Sequence, residues 1–135
     1  MLGEQIGEET GQITGIRVLP GEGTGSPVEV SFQASGTLMG AQVTNMGTYV
    51  SETRPDGTLF GTGQGVAMTG NGEMATWHGQ GVGRFTGHGS AVSFRGAIYF
   101  QSTAERLAGL NGIAAVFEYE SDENGKTTDK TYEWK

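Results

Sequence analysis

Glycine at alternate positions constrains this chain more than any other feature. Of its 135 residues 25 are glycine, and they recur with period two from Gly61 to Gly65 and from Gly79 to Gly83. Period two is the side-chain period of a β-strand, so each run falls on one face of its strand. A strand face stripped of side chains either bends sharply or lets another group approach the backbone closely. The pattern therefore predicts a curved, closed antiparallel sheet. It names no ligand and no reaction.

Turn signals divide the rest of the chain into strand-length pieces. They fall at Pro55-Asp56-Gly57, Asn71-Gly72, Gly87-His88-Gly89, Asn111-Gly112 and Asn124-Gly125, with weaker ones at Pro20–Pro27 and Gly40-Ala41. Asn-Gly and Asp-Gly tolerate the positive φ of tight hairpin turns. The spacing predicts eight strands, near residues 10–19, 28–39, 42–53, 58–69, 74–86, 90–101, 113–121 and 127–134. In the second, Val28, Val30, Phe32, Ala34 and Leu38 alternate with polar residues; in the seventh, Ile113, Ala115, Phe117 and Tyr119 do. Such alternation marks antiparallel strands with one face in the core.

One short helix is expected between strands six and seven. Ser102-Thr103-Ala104-Glu105 matches a capping box, with Leu107 and Leu110 placed to dock it. Hairpin after hairpin favours an up-and-down meander over the Greek-key crossings of a sandwich. The fold expected is all-β: a single eight-stranded antiparallel up-and-down barrel spanning residues 1–135, with 1–9 as an acidic, flexible N-terminus. Eight strands is the size at which a barrel is filled by side chains or holds one small ligand.

Composition narrows the chemistry. With no cysteine there is no disulfide, thiolate nucleophile or zinc-thiolate site. A formal charge of −7 disfavours nucleic acid and anionic lipid, which both demand a basic face. No apolar run approaches the ~20 residues that span a bilayer. Neither a secretory signal nor a myristoylation site is visible at the N-terminus, and a cytoplasmic location is expected. The acids Glu4, Glu8, Glu9, Glu118, Glu120, Asp122 and Glu123 read as solubilising ends. Both faces of several strands carry apolar residues, which makes a homo-oligomer an expectation.

The fifth strand says most about a site. Its odd positions are Ala75, Trp77, Gly79, Gly81, Gly83 and Phe85; its even ones are Thr76, His78, Gln80, Val82, Arg84 and Thr86. With the odd face inward, Trp77 and Phe85 border an apolar groove emptied by Gly81 and, on the fourth strand, Gly63. With the even face inward, His78, Gln80 and Arg84 make a polar, cationic pocket. An unpaired buried Arg is costly, so Arg84 would there need a carboxylate partner or an anionic ligand; the odd face inward is the expectation. The ligand-binding residues expected are Trp77, Phe85, Gly63 and Gly81.

His78 as a general base beside an Arg84 oxyanion contact is the candidate catalytic pair. Set against it, a single His in a strand is usually a surface or structural residue. Arg84 and Arg95 read either as cross-strand partners of acids such as Glu73 or Glu118, or as a fork for a carboxylate or phosphate. His78 and His88, the two histidines, lack a third ligand, so no metal is expected. No cofactor is expected either. The run Gly61-x-Gly63-x-Gly65 has no following helix to receive a phosphate, and Gly21-Glu22-Gly23-Thr24-Gly25-Ser26 lacks the P-loop lysine.

The Gly-interleaved stretch Ala75–Gly87, then Phe94-Arg95-Gly96-Ala97, Leu107-Ala108-Gly109-Leu110-Asn111-Gly112 and Phe117-Glu118-Tyr119-Glu120, resembles the allene oxide cyclase-like barrel group. The likeness is nearer to its uncharacterised small microbial members than to the plant enzymes. It covers residues 30–120 in organisation and rests on glycine turns. It implies an eight-stranded barrel, frequently oligomeric, whose interior binds a largely apolar molecule and in some members steers a cyclisation or coupling. No catalytic residue of the group matches a position here. Three functions stay open: a small-molecule binding barrel, a cyclase or isomerase, and a structural or interaction protein with a filled interior.

Overall fold

In the computed structural model, which describes residues 1–22 and 25–135, eight strands follow one another in a single meander, most of them joined by glycine-containing turns. The strands are β1 (Leu2–Val18), β2 (Val28–Leu38), β3 (Ala41–Thr53), β4 (Leu59–Thr69), β5 (Met74–Phe85), β6 (Val92–Ser102), β7 (Ala114–Ser121) and β8 (Lys126–Trp134). Each pairs antiparallel with the next, and β8 returns to β1, closing the barrel. Gly72 and Gly125, second residues of two Asn-Gly turns, take the expected left-handed conformation, with φ of 81° each. Gly23 and Thr24, in the glycine loop between β1 and β2, lie outside the described residues.

The N-terminal segment departs from expectation. Residues 1–9 do not stand apart as an acidic tail; from Leu2 onward they supply the first half of β1. Gly7, Glu8 and Glu9 pair with Leu38, Thr37 and Gly36 on one side, and with Thr131, Lys130 and Asp129 on the other. Closure is the physical reason, since the first strand must satisfy backbone groups on two neighbours at once. Register shifts between Gln5 and Gly7 and between Ile13 and Gly15 bend it to do so. Glu4 and Glu8 remain exposed on the outer face, whereas Glu9 points inward and is buried.

The short helix is present as a 3-10 helix, Glu105–Leu110, between β6 and β7. Leu107 and Leu110, three residues apart, are fully buried against Leu38, Ala41, Val43, Ala67, Ala75 and Phe100, and plug that end of the barrel. The capping box does not form. Ala104 takes the cap position without a side-chain bond, and Ser102, still paired in β6, is two residues too early. Its hydroxyl accepts the Ala104 N–H at 3.1 Å and donates to the Met74 carbonyl at 2.7 Å. Asn111 fastens the helix's far end, its amide exchanging bonds of 2.7 and 2.9 Å with the Ser102 backbone.

A second core cluster, Phe32, Ala34, Leu59, Val92, Phe94 and Tyr119, fills the barrel toward the end where the β3–β4, β5–β6 and β7–β8 turns lie. The glycine runs make room for its aromatic neighbours. A Cβ on Gly47 or Gly65 would lie 2.6 or 2.5 Å from the Trp77 ring, and one on Gly83 would lie 2.6 Å from Phe94. Real Cβ contacts do not come that close, so these positions admit the rings only as glycine.

Candidate functional site

Between the two clusters the barrel interior is not filled. A cavity of about 90 Å³ remains there. It exists because β4 and β5 face one another with paired glycines. Gly61 sits opposite Gly81 and Gly63 opposite Gly79, so four consecutive inward positions on this wall carry no side chain. Phe32, Phe94, Ile98, Phe100 and Phe117 supply apolar surface around the gap.

The facing wall is polar. Tyr119 on β7, Asp129 on β8 and Glu9 on β1 are successive cross-strand partners, and all three line the cavity. Two strands from Glu9, Asn45 on β3 donates from its amide to Glu9 Oε1 at 3.0 Å. The Asn45 carbonyl in turn accepts the Trp77 indole N–H at 2.8 Å. Gly36, beside Glu9 in register, leaves β2 bare at that level. The hydroxyls of Tyr49 and Tyr119 meet at 3.3 Å, completing a polar strip within a largely apolar space.

Burial sets the protonation of this strip. Asp129 is pushed up to about 8, first by loss of water and then by the neighbouring charges of Glu9 and Glu8. Glu9 is also raised by burial, while the hydrogen bond from Asn45 acts the other way and favours its charged form. The Tyr49 and Tyr119 hydroxyls are both raised, foremost by burial, and stay neutral. Two adjacent carboxyls in low dielectric cannot both ionise readily, so each raises the other's hold on a proton; the Asn45 bond favours the charged form at Glu9, and the neighbouring charges favour the neutral form at Asp129.

The odd face of β5 points inward, as expected. Trp77, Gly63 and Gly81 line the cavity. Phe85 does not: it has the right parity but ends the strand and is 52% exposed. His78 and Arg84 lie on the outer face, both exposed, and are not brought to the cavity. His78 packs beside Tyr99 with ring centroids 5.7 Å apart. Arg95, also outside, pairs with Glu120 at 3.0 Å and Glu118 at 3.7 Å, the cross-strand reading rather than the anion fork. The described residues hold no group of three His, Asp or Glu side chains that could hold a metal, and no helix among them is long and apolar enough to cross a membrane.

Glu9 and Asp129 were missed from sequence. Glu9 read as part of a solvated acidic end. Asp129 stands in Lys126-Thr127-Thr128-Asp129-Lys130-Thr131, where both faces are polar and neither advertises an interior. Period two does place Thr127, Asp129 and Thr131 together, opposite both lysines; that was the available signal.

The eight-stranded barrel is a fold shared with solved structures. No protein-family profile matches the chain, and no curated protein sequence does. A conserved protein of unknown function from Rhodopseudomonas palustris has the same fold at a TM-score of 0.82 and 13% identity, covering 98% of this chain and 97% of that one. A protein of unknown function from Clostridium acetobutylicum ATCC 824 is similar at 0.82 and 12% identity, covering 96% of each chain. At such identities the likeness is one of fold.

Proposed function

We propose that the barrel binds a small, largely apolar molecule in its interior, with one polar group turned toward Asp129 and the Tyr49–Tyr119 pair. The observation that carries this reading is the glycine-paired wall facing a polar strip across an unfilled cavity. An apolar space with a few convergent polar groups is the usual form of a small-molecule site. About 90 Å³ is below the ~300–1,000 Å³ of drug-sized pockets, so the ligand is compact. A carbonyl or hydroxyl suits the neutral donors of the strip; a carboxylate would meet the charge of Glu9.

The allene oxide cyclase-like resemblance supports the same interior and leaves open a cyclisation or isomerisation there. A filled, purely structural barrel is the reading least favoured by the cavity. Native mass spectrometry of gently purified protein tests the proposal and reads the oligomeric state as well. The expected result is an excess mass that denaturation releases. Bare subunits that also fail to take up a fluorescent apolar probe would overturn it.

A further inference from the structure

The interior holds more polar machinery than retention of an apolar molecule requires. Burying two carboxyls side by side is costly, and a binding pocket needs only one hydrogen-bonding group for orientation. Glu9 is held at one oxygen by Asn45, itself fixed by Trp77; among the described residues no hydrogen bond reaches its other oxygen. None reaches the Asp129 carboxyl either, although both residues line the cavity. A fixed carboxylate and a carboxyl with a free edge thus share a water-poor space.

We propose that Glu9 and Asp129 form a proton-transfer site that isomerises small, apolar β,γ-unsaturated ketones to their conjugated isomers. This rests on the reading of the interior as a small-molecule site. The Glu9 carboxylate removes a proton from the carbon between the carbonyl and the double bond. The C–H electron pair becomes a new C=C bond, and the carbonyl oxygen takes the Asp129 proton to give a dienol, with the Tyr49–Tyr119 hydroxyls beside it. Glu9 then returns its proton to the γ-carbon. The dienol O–H proton goes back to Asp129 as the carbonyl reforms. Both carboxyls end as they began, and nothing is oxidised or reduced. Glycine supplies the remaining requirement, since Gly61, Gly63, Gly79 and Gly81 leave the space in which a flat ring can lie against the acids.

The test uses 3-cyclohexen-1-one as substrate and cyclohexanone as an unreactive ligand. Conversion is followed by the absorbance of the conjugated product, and binding by the shift of the Trp77 indole N–H resonance. The expected result is that both ketones shift Trp77 and that the wild type isomerises the enone. Glu9→Gln and Asp129→Asn each should slow isomerisation by about 10²–10⁴-fold while the cyclohexanone shift persists. Binding without conversion above buffer, or conversion undiminished in both variants, overturns the proton-transfer site and leaves the binding reading standing. A Trp77 resonance that neither ketone moves overturns both. If Glu9→Gln fails to fold, Asp129→Asn and the wild type decide by the same outcomes.

Discussion

The two walls of the barrel interior solve opposite problems. The β4–β5 wall removes side chains: Gly61, Gly63, Gly79 and Gly81 face one another and leave backbone as lining. The β7–β8–β1 wall presents polar side chains where a core would ordinarily be apolar: Tyr119, Asp129 and Glu9 in one cross-strand row. Either wall alone would be a liability, the first an empty gap and the second a row of polar groups turned into a core. Together they make a space whose polar groups have somewhere to point. Cavity and acid pair therefore belong to one device, joined by Trp77, which packs over Gly47 and Gly65 and anchors Asn45.

Breaking that joint should have the largest effect. Trp77→Ala removes the ring seated on the glycines and the anchor of Asn45 and should cost about 3 kcal/mol or more, read by chemical denaturation. Gly65→Ala attacks the same contact from the other side, because its Cβ would lie 2.5 Å from both Trp77 and the Met46 carbonyl. A loss of about 1–3 kcal/mol is expected. Gly70→Ala, in the β4–β5 turn with nothing within 4 Å, is the matched control and should change little. Equal effects at 65 and 70 would show that glycine there serves flexibility rather than room.

The polar wall is probed by pH. The folded state raises Asp129 from its ordinary 3.8 to about 8, so between those values the folded chain keeps a proton that the unfolded chain has released. Stability should therefore fall as pH rises from 4 toward 8 and level off above it. Thermal melting of Asp129→Asn should show a flatter profile and a higher midpoint than the wild type at pH 8, by several degrees. An unchanged pH profile in this variant would place the proton elsewhere. The smallest effects belong outside: His78→Ala and Arg84→Ala should stay within about 0.5 kcal/mol of the wild type and leave ketone binding intact.

The contrast between the walls also explains what could be read from sequence. Glycine at period two fixes both a strand and a face, so the bare wall was legible, down to Trp77, Gly63 and Gly81. Val28–Leu38 fell within a residue of expectation because Pro27 and Gly40 bracket it. Phe85 misled because parity says which face a residue occupies but not whether the barrel still covers it at the strand's end. The acidic wall was hidden for a different reason. Burial of Glu9 depends on β8 returning to pair with β1, a contact between the two ends of the chain that no local pattern encodes. The capping box failed similarly, since Ser102 was already committed to Met74 across the sheet.

The most direct test of the paired walls is a ¹³C NMR titration of the Asp129 carboxyl, in the wild type and in Glu9→Gln. The expected midpoint is near 8 in the wild type and lower in the variant, where one neighbouring charge is gone. A carboxyl that titrates in the ordinary aspartate range, and ignores Glu9, would contradict a water-poor interior with a shared proton.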